Sequence, residues 1–141
     1  MSDQGEQVIR AYLEAQQELD ADRIAAFLAD DAVLEFPYAL PGMAARVDGG
    51  PAALREHAGQ IPQFMKSFTY SETTVAPLAA DRRYFVETKV DGVLMNDAAP
   101  PYSNRYAILA EVAGGKITFW REYFGAAQVG ELLAGMAGAA G

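Results

Sequence analysis

The sequence predicts an α+β fold, with helices covering one side of a strongly bent antiparallel sheet and enclosing a pocket. Two observations predict it. Helical periodicity is confined to the part of the chain before Pro62, where one strand-like run interrupts it. Four strand-like runs then follow in close succession, as in a meander. The 141 residues suffice for one domain with its own core, so a single domain over 1–141 is expected.

Residues 3 to about 18 read as a helix, because Val8, Ile9, Tyr12 and Leu13 recur at helical spacing. Asp20 and Asp22 precede a second, short helix carrying Ile24, Phe27 and Leu28, which is expected to end near Asp30 and Asp31. Ala32 to Tyr38 reads as a strand with Leu34, Phe36 and Tyr38 on one face. A loop with Pro41, Gly42 and Gly49-Gly50 leads to Pro51, which suits the first turn of a third helix. Leu54, His57, Ala58 and Ile61 form the apolar stripe of that helix, and Pro62 ends or kinks it. The lone His57 therefore lies on the face expected to be buried; alone, that is the position of an ordinary core histidine.

Thr69–Val75, Arg83–Val93, Ser103–Val112 and Lys116–Phe124 read as the four strands. In the last of these, KITFWREYF, Thr118, Trp120, Glu122 and Phe124 share one face; Ile117, Phe119, Arg121 and Tyr123 share the other. Glu122 thus stands between two large aromatics. On a buried face its charged form would be poorly solvated, making it a candidate acid or base; on an exposed face it is an ordinary solvated carboxylate. A three-residue loop Ala113-Gly114-Gly115 would set Ile108 opposite Trp120, Tyr106 opposite Glu122 and Asn104 opposite Phe124. A two-residue Gly-Gly loop would slip the register by one and put Arg105 on the Glu122 face. The Ala- and Gly-rich tail, about 128–141, is expected to be loosely ordered.

Composition narrows the chemistry. Without cysteine there are no disulfides or thiolates, and one histidine precludes a multi-histidine metal site, so no metal is expected. A net charge of −8 disfavours nucleic acid. No run of 18 apolar residues suggests a membrane span, and the polar start MSDQGEQ lacks a signal-peptide core, so a cytoplasmic location is expected.

Three stretches carry a resemblance: VIRAYLEA…DADRIAAFLADDAVLEFP (8–37), GGPAALREHA (49–58) and YSNRYAILAEVAGGKITFWREYFG (102–125). In this order and spacing the chain resembles SnoaL-like proteins of the nuclear transport factor 2 (NTF2-like, cystatin-like) superfamily, which includes ketosteroid isomerase. The resemblance implies a cone-shaped sheet, mixed at its edge, packed against three helices. Tyr12 falls where ketosteroid isomerase has an oxyanion-hole tyrosine. Its general-base aspartate corresponds to Phe36, so that base is missing, and its second oxyanion-hole group corresponds to Asn104, which can donate a hydrogen bond but not titrate. The segments REHA and REYF are more similar to the phenazine-biosynthesis A/B proteins, which use a pocket histidine and glutamate; His57 and Glu122 fall at those positions. A pocket serine of that group is replaced by Ile61, which puts the substrate in doubt.

The resemblance implies a cavity faced by His57, Glu122, Tyr12, Phe36, Ile61, Asn104, Tyr106, Trp120 and Phe124. The leading expectation is a small-molecule enzyme of the isomerase, cyclase, dehydratase or imine-forming kind. Glu122 would move a proton, His57 would be its partner, and the other residues would bind an apolar or alicyclic carbonyl compound without a cofactor. The alternatives are a binding protein using the same pocket without turnover, and an interaction protein using the outer sheet face. A homodimer is expected, because the helices cover only one face of the sheet.

Overall fold

The fold, obtained as a computed structural model, describes residues 3–140. The elements run α1 (Gln4–Gln17), α2 (Ala21–Ala26), β1 (Leu28–Glu35), β2 (Arg46–Val47), α3 (Pro51–Ala58), α4 (Gln60–Phe64), β3 (Met65–Pro77), β4 (Arg83–Leu94), β5 (Tyr102–Ala113), β6 (Lys116–Phe124) and α5 (Ala126–Ala140). The strands form one curved, open sheet in the order β2-β1-β6-β5-β4-β3. All neighbours are antiparallel except β1 and β6, which run parallel toward one edge. Bulges in β1, β3 and β6 supply local bending. No helix of the described residues is long and apolar enough to cross a membrane.

The first two helices begin on aspartate caps. Asp3 accepts from the Glu6 amide at 2.8 Å and Asp20 from the Arg23 amide at 3.2 Å. Asp3 also accepts from the Tyr84 hydroxyl at 2.8 Å, which ties the start of α1 to β4. The second helix ends earlier than its periodicity predicts. The Ile117 amide donates to the Phe27 carbonyl at 2.8 Å, and Leu28 pairs with Ile117, so sheet pairing takes over before Asp30. Phe36 still points into the core, but the chain turns at Phe36–Ala39, leaving Tyr38 exposed rather than on the inner face.

The β5–β6 connection corrects the expected register. Ala113 pairs with Lys116 across a two-residue Gly114-Gly115 turn, whose φ values of 61° and 77° suit glycine. Left alone, that turn would put Glu122 outside. A bulge at Thr118 adds one residue, after which Ala110 pairs with Trp120, Ile108 with Glu122 and Tyr106 with Phe124. Ile117 is consequently buried on the inner side, contrary to the simple alternation, while Trp120 and Phe124 also point inward. On β4, Val86 and Val90 face the core, and Phe85 lies on the outer face at 38% exposure.

The C-terminal segment expected to be loose forms α5. Val129, Leu132, Leu133 and Met136 fall at helical spacing; Val129 is buried and the others pack on the core.

Candidate functional site

The concave side of the sheet and the helices over it enclose a cavity of about 360 Å³. Alternation on β6 brings Trp120, Glu122 and Phe124 to its wall. The Trp120 indole N–H donates to Glu122 Oε1 at 3.2 Å. From α1, Tyr12 meets Trp120 edge to face, with centroids 5.0 Å apart. Tyr70 comes from β3 and Tyr102 and Tyr106 from β5, while His57 of α3 and the apolar stripe of α5 complete the enclosure.

Burial pushes the Glu122 carboxyl up to about 7, because the ionised form loses its hydration; the Trp120 hydrogen bond opposes this weakly. Among the described residues no Lys or Arg lines the cavity and none pairs with Glu122. The phenols report its position. Tyr12, Tyr70 and Tyr106 are raised first by burial and then by the Glu122 charge. Burial pushes Tyr102 up to about 12, although its hydrogen bonds with Tyr106 and Asn104 pull it down. His57 is lowered by burial alone, and its imidazole lies 5.3 Å from the Phe36 ring, centroid to centroid. Burial is thus the leading cause at both groups, raising the carboxyl and lowering the imidazole.

Tyr12, Phe36, His57, Ile61, Tyr106, Trp120, Glu122 and Phe124 all line the cavity. Asn104 does not. It is 7% exposed, and its amide is spent on the protein: Nδ2 donates to Tyr102 Oη at 2.9 Å and to the Gly125 carbonyl at 3.0 Å, while Oδ1 accepts from the Gly125 amide at 3.0 Å. It lies on the inner face of β5, but neighbouring groups intercept the side chain before it reaches the cavity.

The profile of the SnoaL-like domain family matches residues 9–120 of this chain. The chain belongs to the SnoaL-like domain family. Among the relatives of this SnoaL-like chain is the uncharacterized protein YesE of Bacillus subtilis (strain 168), 28% identical over 106 residues, or 75% of this chain and 71% of YesE. A crystal structure of a candidate isomerase from Bacillus subtilis superposes with a TM-score of 0.82 at 27% identity, covering 94% of each chain. A phenazine biosynthesis-related protein of Pseudomonas aeruginosa shares the fold, with a TM-score of 0.73 at 19% identity over 95% of this chain and 85% of that one.

Sequence reasoning missed Tyr70, Tyr102 and the α5 stripe. Tyr102 shares the period-2 face of Asn104 and Tyr106 but lies one residue before the strand start read from the sequence. The stripe at 129, 132, 133 and 136 was legible as i, i+3, i+4, i+7, but the glycines around it suggested a loose tail. Tyr70 had no distinguishing signal, since its orientation depends on the bulged pairing of β3 with β4.

Proposed function

We propose that this SnoaL-like protein is a cofactor-independent enzyme that moves a proton at a carbon next to a carbonyl group, in an isomerisation, cyclisation or dehydration of a small organic molecule. The observation that carries this reading is Glu122: a buried carboxyl at the cavity wall, without a cation partner among the described residues, whose pKa of about 7 balances its acid and base forms at neutral pH. Ionised Glu122 takes the proton, and the resulting carboxylic acid returns it to another atom. The hydroxyls of Tyr12 and of the Tyr102–Tyr106 pair supply hydrogen-bond donors for the oxygen on which negative charge develops. A cavity without Lys or Arg favours a neutral or cationic molecule over a carboxylate or phosphate. Neutral His57, stacked beside Phe36, contributes to binding.

The test needs no knowledge of the natural substrate. Deuterium exchange α to the carbonyl of a panel of cyclic ketones is followed by NMR with wild type and Glu122→Gln. Wild type is expected to accelerate exchange, with a rate that rises as pH passes through about 7, and Glu122→Gln to lose that acceleration by roughly 100-fold or more. Ketones that bind without exchange at any pH would instead support a binding protein using the same pocket. We further propose that the outer sheet face, with Phe85 and the half-buried Phe119, pairs with a second copy. Light scattering is expected to give twice the 15.2 kDa chain mass, and the monomer mass at micromolar concentration would refute pairing.

A further inference from the structure

The two cavity phenols on β5 are not independent. Tyr102 Oη and Tyr106 Oη lie 2.8 Å apart, and Tyr102 Oη also accepts from Asn104 Nδ2 at 2.9 Å. An amide N–H can only donate, so Asn104 fills one lone pair of Tyr102 and never takes its proton. Two hydroxyl protons then remain for one phenol–phenol hydrogen bond. Whichever phenol donates across that bond, one phenolic proton is left over.

Asn104 itself cannot turn to relieve this. Its second N–H is held by the Gly125 carbonyl, and its oxygen by the Gly125 and Arg105 amides, the latter at 2.8 Å. Gly125 has to be glycine for this clasp: a Cβ there would lie 2.8 Å from Asn104 Oδ1 and 2.4 Å from Gln128 Oε1. The amide is therefore fixed, with its donor aimed at the phenol pair.

We propose that Asn104 is a positioning residue: by donating to Tyr102 it keeps one proton of the Tyr102–Tyr106 pair free for an oxygen of the bound molecule. It acts through the phenols and does not itself touch the ligand. This rests on the phenols being the oxygen-facing donors of the proposed reaction, but it concerns binding, so its test requires no turnover.

Asn104→Asp makes the direct test. A carboxylate keeps the acceptors for the Gly125 and Arg105 amides but has no donor for Tyr102. Tyr102 would then donate to the carboxylate and Tyr106 to Tyr102, leaving no phenolic proton for the cavity. The probe is 2-naphthol, whose absorbance separates its neutral and ionised forms. The bound ionised-to-neutral ratio is measured between about pH 5 and 9 in wild type, Asn104→Asp, Tyr102→Phe and the double variant. The ratio is expected to fall about tenfold or more in Asn104→Asp. In the Tyr102→Phe background, where Tyr106 again has a free proton, the same substitution should change it less than about twofold. An unchanged ratio in Asn104→Asp overturns the proposal, and so does an equal loss in both backgrounds, which would mean that Asn104 acts only through Gly125. Should Asn104→Asp not fold, the Asn104 side-chain amide resonances of wild type and Tyr102→Phe decide the matter: one N–H is expected to move upfield when its acceptor is removed, and coincident spectra overturn the proposal. Loss of ketone exchange in Glu122→Gln is a separate measurement, so the two readings can fail independently.

Discussion

Arg121 and Glu122 are neighbours on β6 and face opposite sides of one sheet. On the outer side, Arg121 Nε donates to Glu35 Oε1 of β1 at 2.9 Å, its guanidinium lies 5.0 Å from the Phe119 ring, and Arg46 also pairs with Glu35. These charges are compensated by one another and by water. On the inner side, Glu122 has the Trp120 N–H at 3.2 Å and no cation. One step along a strand thus separates a carboxylate paired with two arginines from a carboxyl that burial pushes up to about 7. The difference depends on register, because a one-residue slip would exchange the two faces.

The sharpest way to break this contrast is Trp120→Ala. Trp120 is fully buried, packs edge-on against Tyr12 and donates to Glu122. Its loss is expected to cost roughly 3–5 kcal/mol, or a drop in melting temperature of about 10 °C or more. An unchanged melting temperature in a thermal scan would place the indole in solvent and the faces of β6 the other way round.

The pH dependence of stability comes next. Glu122 is held at about 7 in the folded chain against an ordinary 4.5. Between those values the unfolded chain ionises while the folded one keeps its proton. The stability Glu122 contributes is therefore fully present below about pH 4.5 and is lost as pH rises through about 7, to an extent of roughly 3 kcal/mol. Most of that loss lies between about pH 5 and 8. Glu122→Gln should remove it, so denaturant unfolding should show the variant gaining on wild type across that interval. A constant difference between the two would mean that water reaches the carboxylate.

A smaller effect is expected at Tyr12. Its hydroxyl has no hydrogen-bond partner in the protein among the described residues, although the ring is buried. Tyr12→Phe should leave the melting temperature nearly unchanged while slowing ketone exchange about tenfold, which corresponds to roughly 1.4 kcal/mol of transition-state binding. Exchange at the wild-type rate would assign the oxygen to the phenols of β5 alone.

How much of this was legible in the sequence follows the range of the forces. The order of the main elements, the cap at Asp20, and the pocket positions of His57 and Glu122 are written in local pattern or motif. The inward face of Glu122 was also foreseen, but by a different route: a three-residue loop was expected, whereas a two-residue turn and the bulge at Thr118 restore the same parity. Bulges have no signature in alternation, which is why Ile117 was placed outside. Asn104 shows the other limit. Its direction follows from period 2, but whether it reaches a ligand or is stopped depends on Tyr102 two residues before it and on Gly125, 21 residues away and brought alongside by the fold.

The smallest prediction tests the outer face. Arg121 shares Glu35 with Arg46, so Arg121→Ala leaves that carboxylate with a cation partner. The pair is only partly shielded, with 35% of the Arg121 side chain exposed, and solvent screening limits its worth. Loss of the guanidinium and its contact with Phe119 should cost less than about 1 kcal/mol and shrink further in high salt. Denaturant unfolding at low and high salt measures both. This small value presupposes a water-facing sheet. If a second copy covers Phe85, Phe119 and Arg121, the same substitution leaves Glu35 to Arg46 alone and opens a gap over Phe119 inside an interface, where weakening a desolvated charge cluster costs more than it does in water. The cost would then grow with protein concentration, because stability would include association. A small, concentration-independent loss would sustain the contrast between a wet outer face and a dry inner one and refute the proposed pairing through that face. A large, concentration-dependent loss would make the outer face a second buried surface and Glu35 a buried carboxylate in its own right, distinguished from Glu122 only by its arginines.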